Sequence, residues 1–295
     1  MQPTASRPLR AVGERPFEVR PLGALGAEIV GVDLAEPMSD ELFAHIYQTF
    51  LDHQLLLFGE QALPPDAQVA FARFFGEVQI HVMNQYHASG HPELYYLSNL
   101  DEHGQPNGRH PDRGTLHWHT DGSWRERTGH ATIMYSVEVP SEGGETHFCD
   151  MYGAYEALDD AIRQRLQGLK AVHNLDFSRT RRHGEDPMSE EQRRAVPPVA
   201  HPIVRRHPET GRRAVFLGDH AESVIGMSYV EGRALIEHLN ASIIRPELVY
   251  RHHYRPGELV VWDNRCVLHR ATSYDAARER RVMRRCTILG DRPFA

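Results

Sequence analysis

His119 and Asp121 stand two residues apart in the run His117-Trp118-His119-Thr120-Asp121. On an extended strand that spacing puts both side chains on one face. An imidazole beside a carboxylate supplies two ligands of a metal site. A second histidine from elsewhere would complete the facial set of two histidines and one carboxylate, which leaves positions on a non-haem Fe(II) open for reaction. His269 is the distant candidate: an apolar strand, a polar turn and a second strand deliver it at a strand end. The pattern has a bland alternative. An HxD tripeptide is short and also occurs on solvated strands, and a lone strand histidine is more often packed in a core than bound to a metal. Trp118 and Trp124 flank the pair with apolar bulk, which favours a partly buried site.

A second set of polar residues lies near the end of the chain. Strand period two puts Arg281, Met283 and Arg285 on one face and Val282, Arg284 and Cys286 on the other. If the first face looks into a barrel, two guanidinium groups are buried, and buried charge without a partner is costly. An anionic ligand answers that need; a basic surface is the other reading. Gly143-Gly144-Glu145-Thr146 reads as a turn feeding a strand, and the Thr146 hydroxyl could donate to a carboxylate oxygen. The chain has no GxGxxG, P-loop, GxSxG or HExxH motif, so dinucleotide, phosphate-loop, serine-hydrolase and zincin chemistry lack a foundation.

These residues need a scaffold. Residues 1–16 read as a flexible tail and 17–295 as a single domain without internal repeats. Ser39 is a good N-cap for a helix in which Leu42, Phe43, Ile46, Tyr47 and Phe50 recur at helical spacing. Further helices are expected over 67–75, stopped by Gly76, and over 154–166. Strands are expected at 27–32, 55–58, 132–137, 146–149, 248–254, 258–263, 266–270 and 281–289. Glycine and proline interrupt 81–116, which reads as an active-site loop, and the polar stretch 178–198 reads as a second. Many short strands with a few helices, mostly early, predict a mainly β fold with helices: a β-sandwich or jelly-roll core under helical cover.

The net charge of −7 offers no global attraction to nucleic acid or to acidic membrane surfaces. No apolar run suggests a secretory signal or a membrane span. The three cysteines form no CxxC pair, so the expected compartment is a reducing cytoplasm.

Taken in order, WHTDGSW (118–124), GGETHFCDMYGAYEAL (143–158), VWDNRCVLHRA (261–271) and RRVMRR (280–285) resemble the taurine dioxygenase and dichlorophenoxyacetate dioxygenase family of Fe(II)/α-ketoglutarate-dependent oxygenases. The resemblance runs from GALGAEIVGVDL (23–34) to ILGD (288–291). It implies the double-stranded β-helix form of the jelly roll, with Fe(II), α-ketoglutarate and O₂ as the chemical partners. It also implies a role for each matching residue: His119, Asp121 and His269 as iron ligands, Thr146 and Arg281 on the distal carboxylate of α-ketoglutarate, and Arg285 on the anionic group of the primary substrate. His81 sits where the family often has a substrate-contacting histidine.

SEEQRRAVPPV (189–199) and FLGDHA (216–221) are similar to the aryloxyacetate branch, so the expected substrate is a small aryloxyalkanoate-type carboxylate. Gly114-Thr115-Leu116-His117 replaces the asparagine-bearing stretch of taurine enzymes and argues against taurine. A sulfonate, sulfate ester or amino acid is the alternative substrate, and a non-catalytic jelly roll binding a metal or an anion is the alternative class. Asp121 argues against halogenation, which needs the carboxylate position vacated. The family also implies a homo-oligomer, dimer or tetramer. Tyr86, Trp124 and Phe177 are the aromatic candidates to line an apolar pocket.

Overall fold

The structure is a computed structural model and describes residues 13–80, 87–88 and 90–295. Eight strands form the main sheet, in the spatial order Glu18–Pro21, Ala27–Val30, Leu55–Phe58, Leu259–Asp263, Gly129–Glu138, Val282–Leu289, His91–Ser98 and His87–Ala88. Neighbours run antiparallel except for Ala27–Val30 beside Leu55–Phe58. Two three-stranded sheets accompany it: Val249–His252, Thr146–Asp150, Val267–Ala271; and Ala221–Val224, Lys170–His173, Val199–Pro202. The fold is mainly β with helices.

The central strands are apolar on both faces because both faces are covered. Leu56, Phe58, Ile133, Leu259 and Val261 pack with Phe43, Ile46 and Phe50 of the helix Asp40–His53 and with Phe71 of the helix Pro65–Phe74. Their strand neighbours Leu55, Leu57, Met134, Val260 and Trp262 enter a second core with Phe148, Val267 and Leu268 of the smaller sheets. One pleated sheet thus separates a helical layer from a β layer. Ser39 starts the first helix as expected, accepting the Leu42 amide at 3.1 Å.

Elsewhere the chain departs from expectation. The helix anticipated over 154–166 is two, Met151–Glu156 and Asp160–Leu166, because the Asp159 side chain accepts the Ile162 amide and opens a new helix. The longest helix, Tyr229–Ile243, was not expected; its signal is the capping box in which Ser228 and Glu231 bond each other's backbone amides. The polar stretch 178–198 holds a π turn, Ser178–Arg182, and a helix, Glu190–Ala195. The cysteines are buried and unpaired. Among the described residues no helix is long and apolar enough to cross a membrane.

Candidate active site

His119 and His269 meet as an antiparallel bridge in which each amide donates to the other's carbonyl, at 2.9 and 2.8 Å. Directly opposed residues project to the same side, so the two imidazole centroids lie 4.2 Å apart. Asp121, two residues on, joins them: its Oδ1 is 3.7 Å from His119 Nε2 and its Oδ2 is 3.7 Å from His269 Nε2. All three residues are buried, and their ligand atoms lie within 4.8 Å of one another. At 3.7 Å these are not hydrogen bonds. Buried lone pairs face one another with no proton between them, which suits a divalent cation held by two nitrogens and one oxygen.

The surroundings prepare the ligand forms. Burial opposes ionisation of Asp121, but Arg285, then His269 and His119, and the Thr132 hydroxyl hold its carboxyl well below the usual carboxylate range. Burial, with His119 beside it, pushes the His269 imidazole well below its ordinary value, so the ring is neutral and free to ligate. His119 Nδ1 bonds the His117 carbonyl at 2.7 Å, which as a donor leaves Nε2 bare. His269 lacks such support: among the described residues its Nδ1 is buried without a partner. Packing holds that ring instead, against Trp262 at 4.7 Å and Phe148 at 6.2 Å between centroids.

Two polar residues missed by sequence reasoning brace Asp121. Thr132 Oγ1 donates to Asp121 Oδ2 at 2.6 Å. Asn264 Nδ2 donates to that hydroxyl at 2.8 Å, while Asn264 Oδ1 accepts the Asp121 amide and the Trp262 indole, at 3.2 and 3.1 Å. The signal for Asn264 was its place in the polar turn between two apolar strands.

Strand register brings in the remaining candidates. Val267–Ala271 pairs with Thr146–Asp150 so that His269 faces Phe148 and Ala271 faces Thr146. Thr146 therefore shares the face of His269. Arg285 lies between Met134 and Tyr95 in register, on the face of Thr132. Its guanidinium stacks 4.7 Å from the Tyr95 ring and points Nη1 at Asp121 Oδ1, 3.4 Å away. Arg281 is also buried but makes no ion pair among the described residues; Nε donates to the Gly144 carbonyl at 3.3 Å. Arg284, on the opposite face, is buried too, over Tyr135 at 4.5 Å and donating to the Leu63 carbonyl. Alternation alone did not separate a wet face from a dry one.

A second cluster, His207, Asp263 and Cys266, has metal-like composition. Its donors are already engaged. Asp263 takes Arg265 through both oxygens, at 2.8 and 2.7 Å, and His207 Nε2 at 3.1 Å; His207 Nδ1 accepts the Glu209 and Thr210 amides, at 3.2 and 3.1 Å. This is a buried ion-pair network.

Comparison with known proteins shows the family of the chain. The model of the taurine catabolism dioxygenase TauD, TfdA family matches residues 18–287. The chain belongs to this family. It is similar to the alpha-ketoglutarate-dependent 2,4-dichlorophenoxyacetate dioxygenase of Cupriavidus pinatubonensis, 38% identical over 281 residues that cover 92% of this chain and 96% of that protein. It is similar also to the (S)-phenoxypropionate/alpha-ketoglutarate-dioxygenase of Sphingobium herbicidovorans, 31% identical with 93% and 96% covered. The crystal structure of AAD-2 in complex with Mn(II) and N-oxalylglycine matches with a TM-score of 0.84 at 31% identity, covering 95% of this chain and 98% of that one. Membership of the TauD, TfdA family brings dependence on Fe(II), α-ketoglutarate and O₂.

In this TauD, TfdA family member a cavity of about 400 Å³ opens beside His119 and Asp121. Arg285, Tyr95 and Trp124 line one part of it; residues from 109–115 and from 175–188 line another. Phe177 is not at this wall: it is buried beneath Arg233, whose guanidinium lies 5.2 Å from the ring. His81 and Tyr86 lie outside the described residues. Sequence reasoning did not single out Asp219, which joins the cavity from the loop after Arg213–Val215 and whose amide donates to the Trp118 carbonyl at 2.9 Å. Its carboxylate binds Arg182 and, at 2.5 Å, His183 Nε2; His183 in turn stacks on His117 at 4.7 Å.

Proposed function

We propose that this chain is an α-ketoglutarate-dependent non-haem iron dioxygenase that hydroxylates a small anionic substrate of the aryloxyalkanoate type. The observation that carries the substrate class is the position of Arg285. It lines the cavity and stands 3.4 Å from a carboxylate oxygen of the candidate metal site. A carboxylate held there by the guanidinium fork leaves the adjacent carbon beside the metal. Tyr95 and Trp124 give the same cavity apolar surface for an aromatic ring. The relatives that act on dichlorophenoxyacetate and phenoxypropionate support this choice.

His119, Asp121 and His269 hold the metal in this reading, Thr146 and Arg281 hold the far carboxylate of α-ketoglutarate, and Arg285 orients the primary substrate. Bound Fe(II) with α-ketoglutarate and O₂ supplies the oxidising chemistry, and the protein supplies position and charge. Hydroxylation of the carbon that carries an aryl ether oxygen gives a hemiacetal, which separates into a phenol and a carbonyl compound. The main sheet and the sheet containing His269 serve as the two halves of a double-stranded β-helix, in a single domain over 17–295; of the expected tail 1–16, residues 1–12 lie outside the described residues. Of the two expected active-site loops, 81–116 and 178–198, the parts at 109–115 and 178–188 wall the active site. Residues 91–98 are a strand of the main sheet rather than loop, and 81–86 and 89 lie outside the described residues. The protein works as a cytoplasmic homo-oligomer. The test is a panel of anionic substrates scored by succinate release: aryloxyalkanoates should raise the rate well above the substrate-free level. A response confined to sulfonates, sulfate esters or amino acids would reassign the substrate, and no response anywhere would leave a binding protein.

A further inference from the structure

We propose that His110 and Tyr274 complete the anchor for the far carboxylate of α-ketoglutarate, so that the cosubstrate itself pins the 109–115 wall of the substrate cavity. The proposal rests on the reading above that this carboxylate lies at Arg281.

Arg281 presents a buried positive charge that forms no ion pair among the described residues. Two further polar groups beside it are stranded. His110 Nδ1 accepts the Asp112 amide at 3.3 Å. A backbone amide can only donate, so the ring proton is on Nε2. That Nε2–H is buried and has no acceptor among the described residues. The Tyr274 hydroxyl is likewise buried without a partner. The His110 and Tyr274 rings are neighbours, with centroids 5.7 Å apart.

One corner of the chain brings these groups together. Gly143 and Gly144 have φ near +71° and +65°, which glycine adopts without strain. A Cβ on Gly143 would lie 2.4 Å from the Ser273 carbonyl oxygen and 3.3 Å from Tyr274 Cα; one on Gly144 would lie 3.3 Å from Arg281 Cδ. Tyr274 and Arg281 therefore pack directly on this turn, two residues before Thr146. Arg281 acts electrostatically on both orphaned groups: with burial it brings His110 down to about 4, and it opposes the effect of burial on Tyr274. His110 is thus a neutral donor, which can stand beside a guanidinium without repelling it.

Stranded buried donors are rare in native proteins, and each calls for an explanation. A guanidinium, an imidazole N–H and a phenol share no acceptor here. A carboxylate has two oxygens and about four lone-pair sites, enough to satisfy all three at once. Because His110 also lines the substrate cavity, cosubstrate binding fixes one wall of that cavity before the primary substrate arrives.

Calorimetric titration of α-ketoglutarate into anaerobic Mn(II)-loaded protein tests this without turnover. Tyr274→Phe and His110→Ala should each weaken the Kd about tenfold, in line with the loss of one hydrogen bond to a charged group. Arg281→Ala should weaken it further, and His110→Gln, which keeps an N–H donor, should recover part of the loss. Melting temperatures separate this from misfolding: without α-ketoglutarate Tyr274→Phe should melt no lower than wild type, yet gain less on its addition. A wild-type Kd in both Tyr274→Phe and His110→Ala, with the Arg281→Ala loss intact, overturns the proposal alone. A wild-type Kd in Arg281→Ala overturns it together with the placement of the cosubstrate.

Discussion

Arg285 and Asp121 meet across the cavity, with Nη1 3.4 Å from Oδ1, and neither is free to act alone. The guanidinium keeps the candidate ligand carboxylate ionised although it is buried. The carboxylate in turn compensates a buried cation that would otherwise be costly to hold. A single arginine thus links the candidate metal site to the place proposed for the anionic substrate.

The two inward arginines should separate kinetically. Arg281→Ala should raise the KM for α-ketoglutarate by more than about tenfold and alter the primary-substrate KM far less, since only one binding interaction is removed. Arg285→Ala should do the reverse. Steady-state kinetics with each substrate varied in turn checks this, and the opposite pattern would mean that the two roles are exchanged.

Thr132 touches the candidate metal site through Asp121. Thr132→Val keeps the shape and removes the hydroxyl that donates at 2.6 Å. Outer hydrogen bonds of this kind typically affect metal affinity by about tenfold or more. Anaerobic Fe(II) titration should therefore show weaker binding by roughly that factor with the fold intact by circular dichroism; an unchanged affinity would remove Thr132 from the site.

Asp219 gathers Arg182 and His183 onto one buried carboxylate at the cavity wall. Asp219→Asn leaves both without their charged acceptor and loosens the 175–188 segment. The primary-substrate KM should rise by roughly tenfold, the effect of losing a charge-assisted hydrogen bond, while the Kd for α-ketoglutarate stays at its wild-type value. Equal weakening of both ligands would show a general loss of structure instead.

Two buried histidines predict the acid limb of stability. Burial holds His130 down to about 3 and His173 well below its ordinary value, and among the described residues neither His173 ring nitrogen has a partner. Both are neutral in the fold, whereas in the unfolded chain they take a proton near pH 6.5. Their contribution is fully present above that pH and is lost as pH falls towards the folded values, by up to about 1.4 kcal/mol per pH unit for each. Urea unfolding at pH 7.5, 6.5 and 5.5 should show stability falling below pH 6.5, and His130→Gln should flatten the slope by up to one proton. An unaltered slope in that variant would place the proton uptake elsewhere.

Much of the site was legible from local pattern. His119 and Asp121 share a face because a strand repeats every two residues, and Arg281 and Arg285 are buried together for the same reason. Where helices begin was less legible: Ser39 was recognised, but the equally good Ser228–Glu231 box was not, and Asp159 split a helix that periodicity read as continuous. Arg284 shows the limit of alternation, since a sheet covered on both sides buries both of its faces.

By itself the sequence determined the candidate ligand types, their order, and the family to which the chain belongs, because those follow from side-chain chemistry and short-range spacing. Only the tertiary structure decided that His269 lies opposite His119, that Thr132 and Asn264 brace Asp121, and that Asp219 collects Arg182 and His183 at the cavity. Each of these depends on strand register or on loops that close far along the chain. The free energy that selects them comes from burying two faces of one sheet at once, which no local window of residues contains.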